Sequence, residues 1–175
     1  MNKKVLLTGI SGYIGNHCAV ELLKNGYSVR GSVRSLSKSE KVIAVIKKEV
    51  DPKDNLEFCE LDLLSNEGWD DAMKGCEFLL HVASPFIILE PKDENEYIRP
   101  AVDGTIRALK AAKKAAQAKA KAERDEAKNA REKERAEKEA ERDAEEAKEE
   151  ALPQGPEGEG PDQEAAPEAR RRRLR

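Results

Sequence analysis

Val5-Leu6-Leu7-Thr8-Gly9-Ile10-Ser11-Gly12-Tyr13-Ile14-Gly15 is the stretch that decides the fold. A short apolar run meets a glycine-rich turn, and the turn opens into an amphipathic helical pattern. Strand, glycine turn and helix in that order build a site for a dinucleotide pyrophosphate. Each glycine has a separate task. Gly9 permits the tight turn off the strand, and Gly12 lets backbone N–H groups approach the phosphates with no Cβ in the way. Gly15 lets the new helix pack closely on the sheet, with its positive end toward the anion.

Working outward, Val5–Thr8 reads as the first strand. The following helix, from about Gly12 to Lys24, places Ile14, Cys18, Ala19, Leu22 and Leu23 on one face, and Asn25-Gly26 closes it. Tyr27–Val33 alternates as a second strand. Ser37 and Glu40 have capping-box spacing for a helix with Val42, Ile43, Ile46 and Val50 inward, stopped at Asp51-Pro52. Leu56–Leu61 is a third strand. Ser65 is placed to cap a short helix with Trp69, Ala72 and Met73, which Gly75 ends. Phe78–Val82 is a fourth strand, apolar on both faces as parallel strands covered by helices are. Strands alternating with helices predict right-handed crossovers and a parallel sheet.

A long helical pattern begins near Glu94–Pro100 and carries Val102, Ile106 and Leu109 before it continues into Ala, Lys, Glu and Arg. From about Ala111 to Ala151 there is neither Pro nor Gly, and nearly every residue is a strong helix former. At heptad spacing from Leu109 the seam meets Ala112, Ala116, Lys119, Glu123 and Glu126, which is not the sustained apolar seam of a coiled coil. Glu134–Lys138, Lys133–Glu137 and Arg135–Glu139 can pair along a solvated single helix. Pro153–Pro167 is rich in Pro, Gly and Glu and predicts disorder. The chain then ends in an Arg cluster, Arg170–Arg173, whose readings are a solvated terminus or a polyanion-binding patch.

Every Val, Ile, Phe, Tyr and Trp lies at or before Ile106, so only the first two-thirds of the chain can own a core. The formal net charge of −3 gives no general pull toward nucleic acid or an anionic membrane. Cys18, Cys59 and Cys76 are widely spaced and contain no CxxC, which fits reduced thiols rather than a disulfide or metal site. No segment has the length of apolar sequence needed to span a bilayer, and a cytoplasmic location is expected.

With Gly9, Gly12 and Gly15 at TGxxGxxG spacing, the chain resembles the extended short-chain dehydrogenases/reductases, the NAD-dependent epimerase/dehydratase superfamily. The similarity is strongest to their dihydroflavonol-reductase-like branch. Val29–Arg34, Leu61-Asp62-Leu63, His81-Val82-Ala83-Ser84-Pro85-Phe86 and Pro100–Thr105 match that branch in order, and the likeness covers about residues 1–114. It implies an α/β fold with an incomplete Rossmann-like parallel sheet of strand order 3-2-1-4, which the composition beyond it extends with a long charged helix and a disordered tail. The expected divisions are a partial dinucleotide-binding domain over 1–114, a charged helix over 115–151 and a disordered, finally Arg-rich segment over 152–175.

The expected cofactor is NADP(H) rather than NAD. An NAD site places an acid about 20 residues past the glycines to hold the ribose 2′-hydroxyl. Here the second strand ends in Val33-Arg34, and a guanidinium can pair with a 2′-phosphate and stack on adenine. Lys41 is a candidate second cation. Asp62, by resemblance, accepts from the adenine amine; otherwise it is an acid at a helix N-terminus. Leu63, Val82, Ala83 and Ser84, with Tyr13 and Ile14, complete the implied cofactor set. His81 reads as a strand-end packing residue, since no nucleophile or carboxylate is placed to work with it.

The resemblance implies hydride transfer between NADPH and a carbonyl or alcohol, assisted by a Ser and a Tyr-x-x-x-Lys pair. The three tyrosines, Tyr13, Tyr27 and Tyr97, are followed four residues on by His17, Gly31 and Ala101, so no catalytic residue is carried over. Three readings follow: a cofactor-binding half, inactive alone; a binding or spacer module on a charged helix; and a truncated or joined product. A small-molecule carbonyl substrate belongs only to a complete family member. Because nothing here supplies a fifth strand beside Phe78–Val82, the head is also expected to self-associate through this edge or to be only marginally stable.

Overall fold

The computed structural model describes residues 3–85 and 93–150. Phe86 of the fourth matched segment and the segment 152–175, including Arg170–Arg173, lie outside them. The chain divides into two units, Met1–Ala127 and Lys128–Arg175.

In the first unit, β1 (Lys4–Thr8), β2 (Ser28–Val33), β3 (Leu56–Glu60) and β4 (Phe78–His81) form one parallel sheet in the order β3-β2-β1-β4. This is the order expected from the sequence. In register, Val5 stands between Val29 and Phe78, and Thr8 lies opposite His81. Helices α1 (Tyr13–Lys24), α2 (Ser39–Ile46), α3 (Trp69–Met73) and α4 (Asn95–Glu150) follow the strands in turn. On one face Leu7, Ile10, Val29 and Val33 pack on Ala19 and Val20 of α1 and on Val42 and Ile46 of α2. On the other, Leu6 and Leu61 pack on Trp69, Ala72 and Met73 of α3 and on Ala108 and Ala111 of α4.

Several local expectations are corrected. Ile14 is 63% exposed rather than on the packed face of α1, where Gly15, Ala19 and Val20 are the buried residues. The Ser37–Glu40 capping box does not form. Ser37 Oγ meets Ser35 Oγ at 3.0 Å, and a 3₁₀ turn over Leu36–Lys38 precedes α2. Likewise Gly68, with φ of +80°, is the N-cap of α3, while the Ser65 carbonyl accepts Trp69 Nε1–H at 2.9 Å. β4 is not covered on both faces: Leu79 packs inward, but Phe78 and Leu80 are 45% and 36% exposed.

The largest correction concerns α4. Its apolar stripe, Val102, Ile106 and Leu109, is 43–60% exposed, and the helix docks instead through Gly104, Ala108 and Ala111. Small residues allow close approach: a Cβ on Gly104 would stand 2.6 Å from Leu63 Cδ2. Arg107 fastens the contact, donating at 2.5 Å to Asn66 Oδ1 and at 2.6 Å to the Leu63 carbonyl. The Lys128–Glu150 part of α4 belongs to the second unit. There Lys128–Glu132, Lys133–Glu137 and Glu134–Lys138 pair at 3.6, 3.8 and 2.7 Å, whereas Arg135 and Glu139 make no ion pair among the described residues.

Arg30, in the middle of β2, ties the sheet to α3. Its Nη1 donates to the Ala72 and Lys74 carbonyls at 2.7 Å, closing the C-terminal end of α3, and its Nε donates to Glu57 Oε1 at 2.6 Å. Lys4 Nζ meets the same oxygen at 3.0 Å. Burial alone would raise the Glu57 carboxyl, but the hydrogen bonds and the positive charges of Lys4 and Arg30 together outweigh it and hold it below its ordinary value. Arg30→Ala should therefore destabilise the fold by about 2–3 kcal/mol in urea unfolding, the scale for charge-assisted hydrogen bonds left without a donor. Because the folded pKa of Glu57 is depressed, its stabilisation is present above the unfolded carboxylate value and lost as pH falls through the folded one. Glu57→Gln should flatten this part of the acid limb.

Candidate functional site

The turn after β1 shows why glycines stand where they do. Gly9 adopts φ of +70°, and a Cβ there would lie 2.8 Å from Ala83 Cα. A Cβ on Gly15 would lie 2.8 Å from the Gly9 carbonyl carbon and from Ile10 Cα, and closer still to the Gly9 oxygen. The first turn of α1 thus sits directly on the Gly9-Ile10 turn. Gly12 is different. Its φ of −83° and ψ of 166° suit any residue, and an added Cβ would meet only the Gly9 oxygen, at an ordinary 3.4 Å. Among the described residues nothing requires glycine at this position.

The Gly12 N–H is used internally, donating to the Gly9 carbonyl at 3.0 Å. The N–H groups of Tyr13, Ile14 and Gly15 donate to no acceptor among the described residues, as expected for a first helical turn. No acidic residue lies in that turn and no side chain caps it, so the positive end of α1 is uncompensated.

This helix end opens on a cleft of about 870 Å³ at the carboxyl ends of β1, β2 and β4. It lies at the point where the strand order reverses, which is where open α/β sheets hold ligands. Gly9, Gly12, Tyr13, Ile14, Gly15, Arg34, Asp62, Leu63, Val82, Ala83 and Ser84 all line it. Lys41 does not: it stands exposed on α2 and is not among the lining residues. Arg34 is exposed directly beyond β2 and makes no ion pair among the described residues. Asp62 does not sit on a helix N-terminus. Its Oδ1 accepts the Leu64 N–H at 2.9 Å and holds the loop after β3.

Thr8 and Ser32 of the lining set, and Gly31 beside it, shape the site without a local signal of that role in the sequence. Buried Ser32 accepts the Gly9 N–H on Oγ at 3.3 Å, fixing the turn to β2. Gly31 makes room for Ile10, since a Cβ would come within 2.9 Å of Ile10 Cγ2. Thr8, 1% exposed, accepts the Val82 and Ala83 N–H groups on Oγ1 at 3.0 and 3.1 Å and lies 2.8 Å from His81 Nδ1. His81 thus has a hydroxyl partner that its place in the chain did not reveal. Burial holds its ring below the ordinary imidazole value. The small residues Ser32 and Gly31 are a signal only once β2 is set beside the glycine turn; a pairing across 73 residues gives none.

These features define a dinucleotide-fold protein, and the comparisons agree. Residues 5–122 match the NAD dependent epimerase/dehydratase family, and the chain belongs to that family. It is 39% identical over 115 residues to an uncharacterized oxidoreductase of Schizosaccharomyces pombe, covering 63% of this chain and 33% of that protein. It is 34% identical over 116 residues to a bifunctional dihydroflavonol 4-reductase/flavanone 4-reductase of Malus domestica, covering 65% and 32%. Among solved structures, yeast methylglyoxal/isovaleraldehyde reductase Gre2 complexed with NADPH superposes with a TM-score of 0.56 at 28% identity, over 63% of this chain and 33% of that one. The chain spans about a third of the length of the curated relatives it matches. Among the described residues no helix is long and apolar enough to cross a membrane.

The geometry separates two glycines that look alike in sequence. Gly15→Ala should destabilise the fold by about 2 kcal/mol or more, because backbone on both sides must move. Gly12→Ala should leave stability within about 0.5 kcal/mol of the parent. Thermal and urea unfolding of the two variants side by side checks this, and equal losses would refute it.

Proposed function

We propose that this chain is the cofactor-holding part of an NADP(H)-dependent reductase resembling the dihydroflavonol reductases. Residues 1–114 are the dinucleotide-binding part, and 115–151 a charged helix. The observation that carries the reading is Gly12: a glycine in an unstrained conformation, with open space before it, beside three unused N–H groups and the bare positive end of α1. A phosphate pair closing on that surface explains the missing Cβ, which the protein's own packing does not. The NADPH in the Gre2 complex supports the same reading.

Within this cleft the Tyr13, Ile14 and Gly15 N–H groups hold the pyrophosphate. Arg34 pairs with the ribose 2′-phosphate, while Asp62 and Leu63 border the adenine. Val82, Ala83 and Ser84 line the side toward β4. The dinucleotide, when bound, supplies the hydride. Residues that would position a carbonyl and move its proton are not among those lining the cleft in recognisable form, because no tyrosine of this chain is followed by lysine at the fourth residue. Binding is therefore this chain's own contribution.

If Arg34 makes a charge-assisted pair, NADPH should bind more tightly than NADH by about 1–3 kcal/mol, and Arg34→Ala should abolish the difference. Calorimetry with both nucleotides measures this; equal affinities in the parent chain would refute the assignment. Turnover of aldehydes or ketones by the chain alone should be undetectable, since a positioned proton donor is typically worth about 10²–10⁴-fold. Sustained NADPH oxidation that disappears in Gly12→Glu would overturn this.

The same reading extends to assembly. β4 ends the sheet with Phe78 and Leu80 partly exposed, and α4 presents Val102, Ile106 and Leu109. An apolar edge of this kind favours pairing with a second copy. Leu80→Lys should shift the chain toward monomer in light scattering, and a parent chain that is monomeric at every concentration would refute it.

A further inference from the structure

The Thr8 hydroxyl makes three contacts, and together they fix where its proton lies. Oγ1 receives the N–H groups of Val82 and Ala83 at 3.0 and 3.1 Å, which occupies both of its lone pairs. The third neighbour, His81 Nδ1 at 2.8 Å, can then only be an acceptor of the hydroxyl proton. His81 is therefore neutral at Nδ1, with its ring proton on Nε2.

Resting on the dinucleotide reading above, we propose that His81 is a positioning residue for the cofactor, acting in its Nε2–H tautomer through the Thr8 hydroxyl to set the Val82–Ala83 backbone against Gly9. The seam it sets has no slack: a Cβ on Gly9 would lie 2.8 Å from Ala83 Cα and 2.9 Å from Ala83 N. Gly9, Val82 and Ala83 all line the cleft.

Protonated His81 would turn an N–H toward an oxygen that already accepts twice and has its own proton to place. One of the three contacts must then break, and the backbone beside Gly9 loosens. The surroundings favour the neutral ring. Half-buried His81 is lowered by burial, with no charged neighbour contributing. On β1 it meets Thr8, and on α3 its ring lies 6.4 Å from the uncharged Trp69 ring. The charges of that layer are engaged elsewhere: Asp70 with Lys114, Asp71 with Lys74 at 2.5 Å, and Arg107 with Asn66 and the Leu63 carbonyl. Arg34, Asp62 and Glu96 line the neighbouring cleft. The sign follows: a depressed imidazole leaves the clamp intact above its ordinary value and releases it as pH falls through the lowered one.

The test compares NADP⁺ binding by calorimetry at about pH 7.5 and about pH 5, the range over which imidazole titrates, in the parent chain, His81→Asn and His81→Phe. Asn offers an acceptor oxygen close to where Nδ1 stands and does not titrate; Phe keeps the ring without an acceptor. The 2′-phosphate itself titrates near pH 6, about where phosphate monoesters do, and the variants share that contribution. Relative to His81→Asn, the parent should lose a further factor of about five at the lower pH, the scale of one hydrogen bond. His81→Asn should bind more tightly than His81→Phe at the higher pH. Nitrogen NMR of the free chain should show His81 protonated on Nε2 alone. Identical pH profiles for the parent and His81→Asn, or a proton on Nδ1, would overturn the proposal. No NADP⁺ binding by the parent at either pH, with the Nε2–H tautomer observed, would instead defeat the cofactor reading on which the proposal stands.

Discussion

The Gly9 carbonyl leaves no room for a side chain at position 15, and the arrangement around the site follows from that constraint. With Gly15 seated against Gly9 and Ile10, the first turn of α1 begins immediately beyond the end of β1. Its N–H groups then face the cleft rather than an internal acceptor. A positive φ at Gly9 turns the chain, Ser32 Oγ accepts the Gly9 N–H from the side of β2, and Ala83 closes on Gly9 from the side of β4. Three strand ends are thereby locked to one turn, and the uncompensated positive end of the helix is fixed relative to all of them. Preorganised dipoles of this kind hold a phosphate without reorganising the protein.

The two faces of the sheet meet this constraint with different chemistry. On the α1–α2 side, branched aliphatic side chains fill the space between sheet and helices. On the α3–α4 side, Trp69 and Met73 of α3 pack on Leu6 and Leu61, while α4 docks through small residues and arginines satisfy backbone carbonyls. Arg30 closes the end of α3, and Arg107 holds the Leu63 carbonyl next to the cleft. The loop after β3, which carries Asp62 and Leu63, is thus positioned from α4 as well as by its own turn. Packing and the cleft lining share these residues, so a loss of α4 docking would be felt at Asp62 and Leu63.

The sequence made the sheet order, the glycine turn and most of the lining set readable, because strand-to-turn-to-helix transitions and glycine spacing are local signals. Arg34 lines the cleft directly beyond β2, a position that the local order of strand and turn also made readable. What could not be read depends on partners distant in the chain. Val102, Ile106 and Leu109 form a convincing apolar stripe, yet Gly104, Ala108 and Ala111 make the contact, because the close approach of Leu63 at Gly104 leaves no room for a larger side chain there. The capping box at Ser37 lost to a 3₁₀ turn whose Leu36 N–H is taken by Glu60 of β3 at 2.9 Å. Lys41 has the right charge but stands outside the lining set of the cleft. His81 looked like a packing residue, since nothing near it in sequence announces Thr8.

The most direct test of the central claim, that the first turn of α1 and the seam at Gly9 and Ala83 hold a dinucleotide, is an amide NMR titration of the full chain with NADP⁺. The largest shifts should fall on the Gly12, Tyr13, Ile14 and Gly15 amides, with smaller ones at Arg34 and Ala83. The charged part of α4 beyond Ala127 should stay unmoved. Shifts confined to that charged helix, or a glycine turn that does not respond at saturating nucleotide, would contradict it.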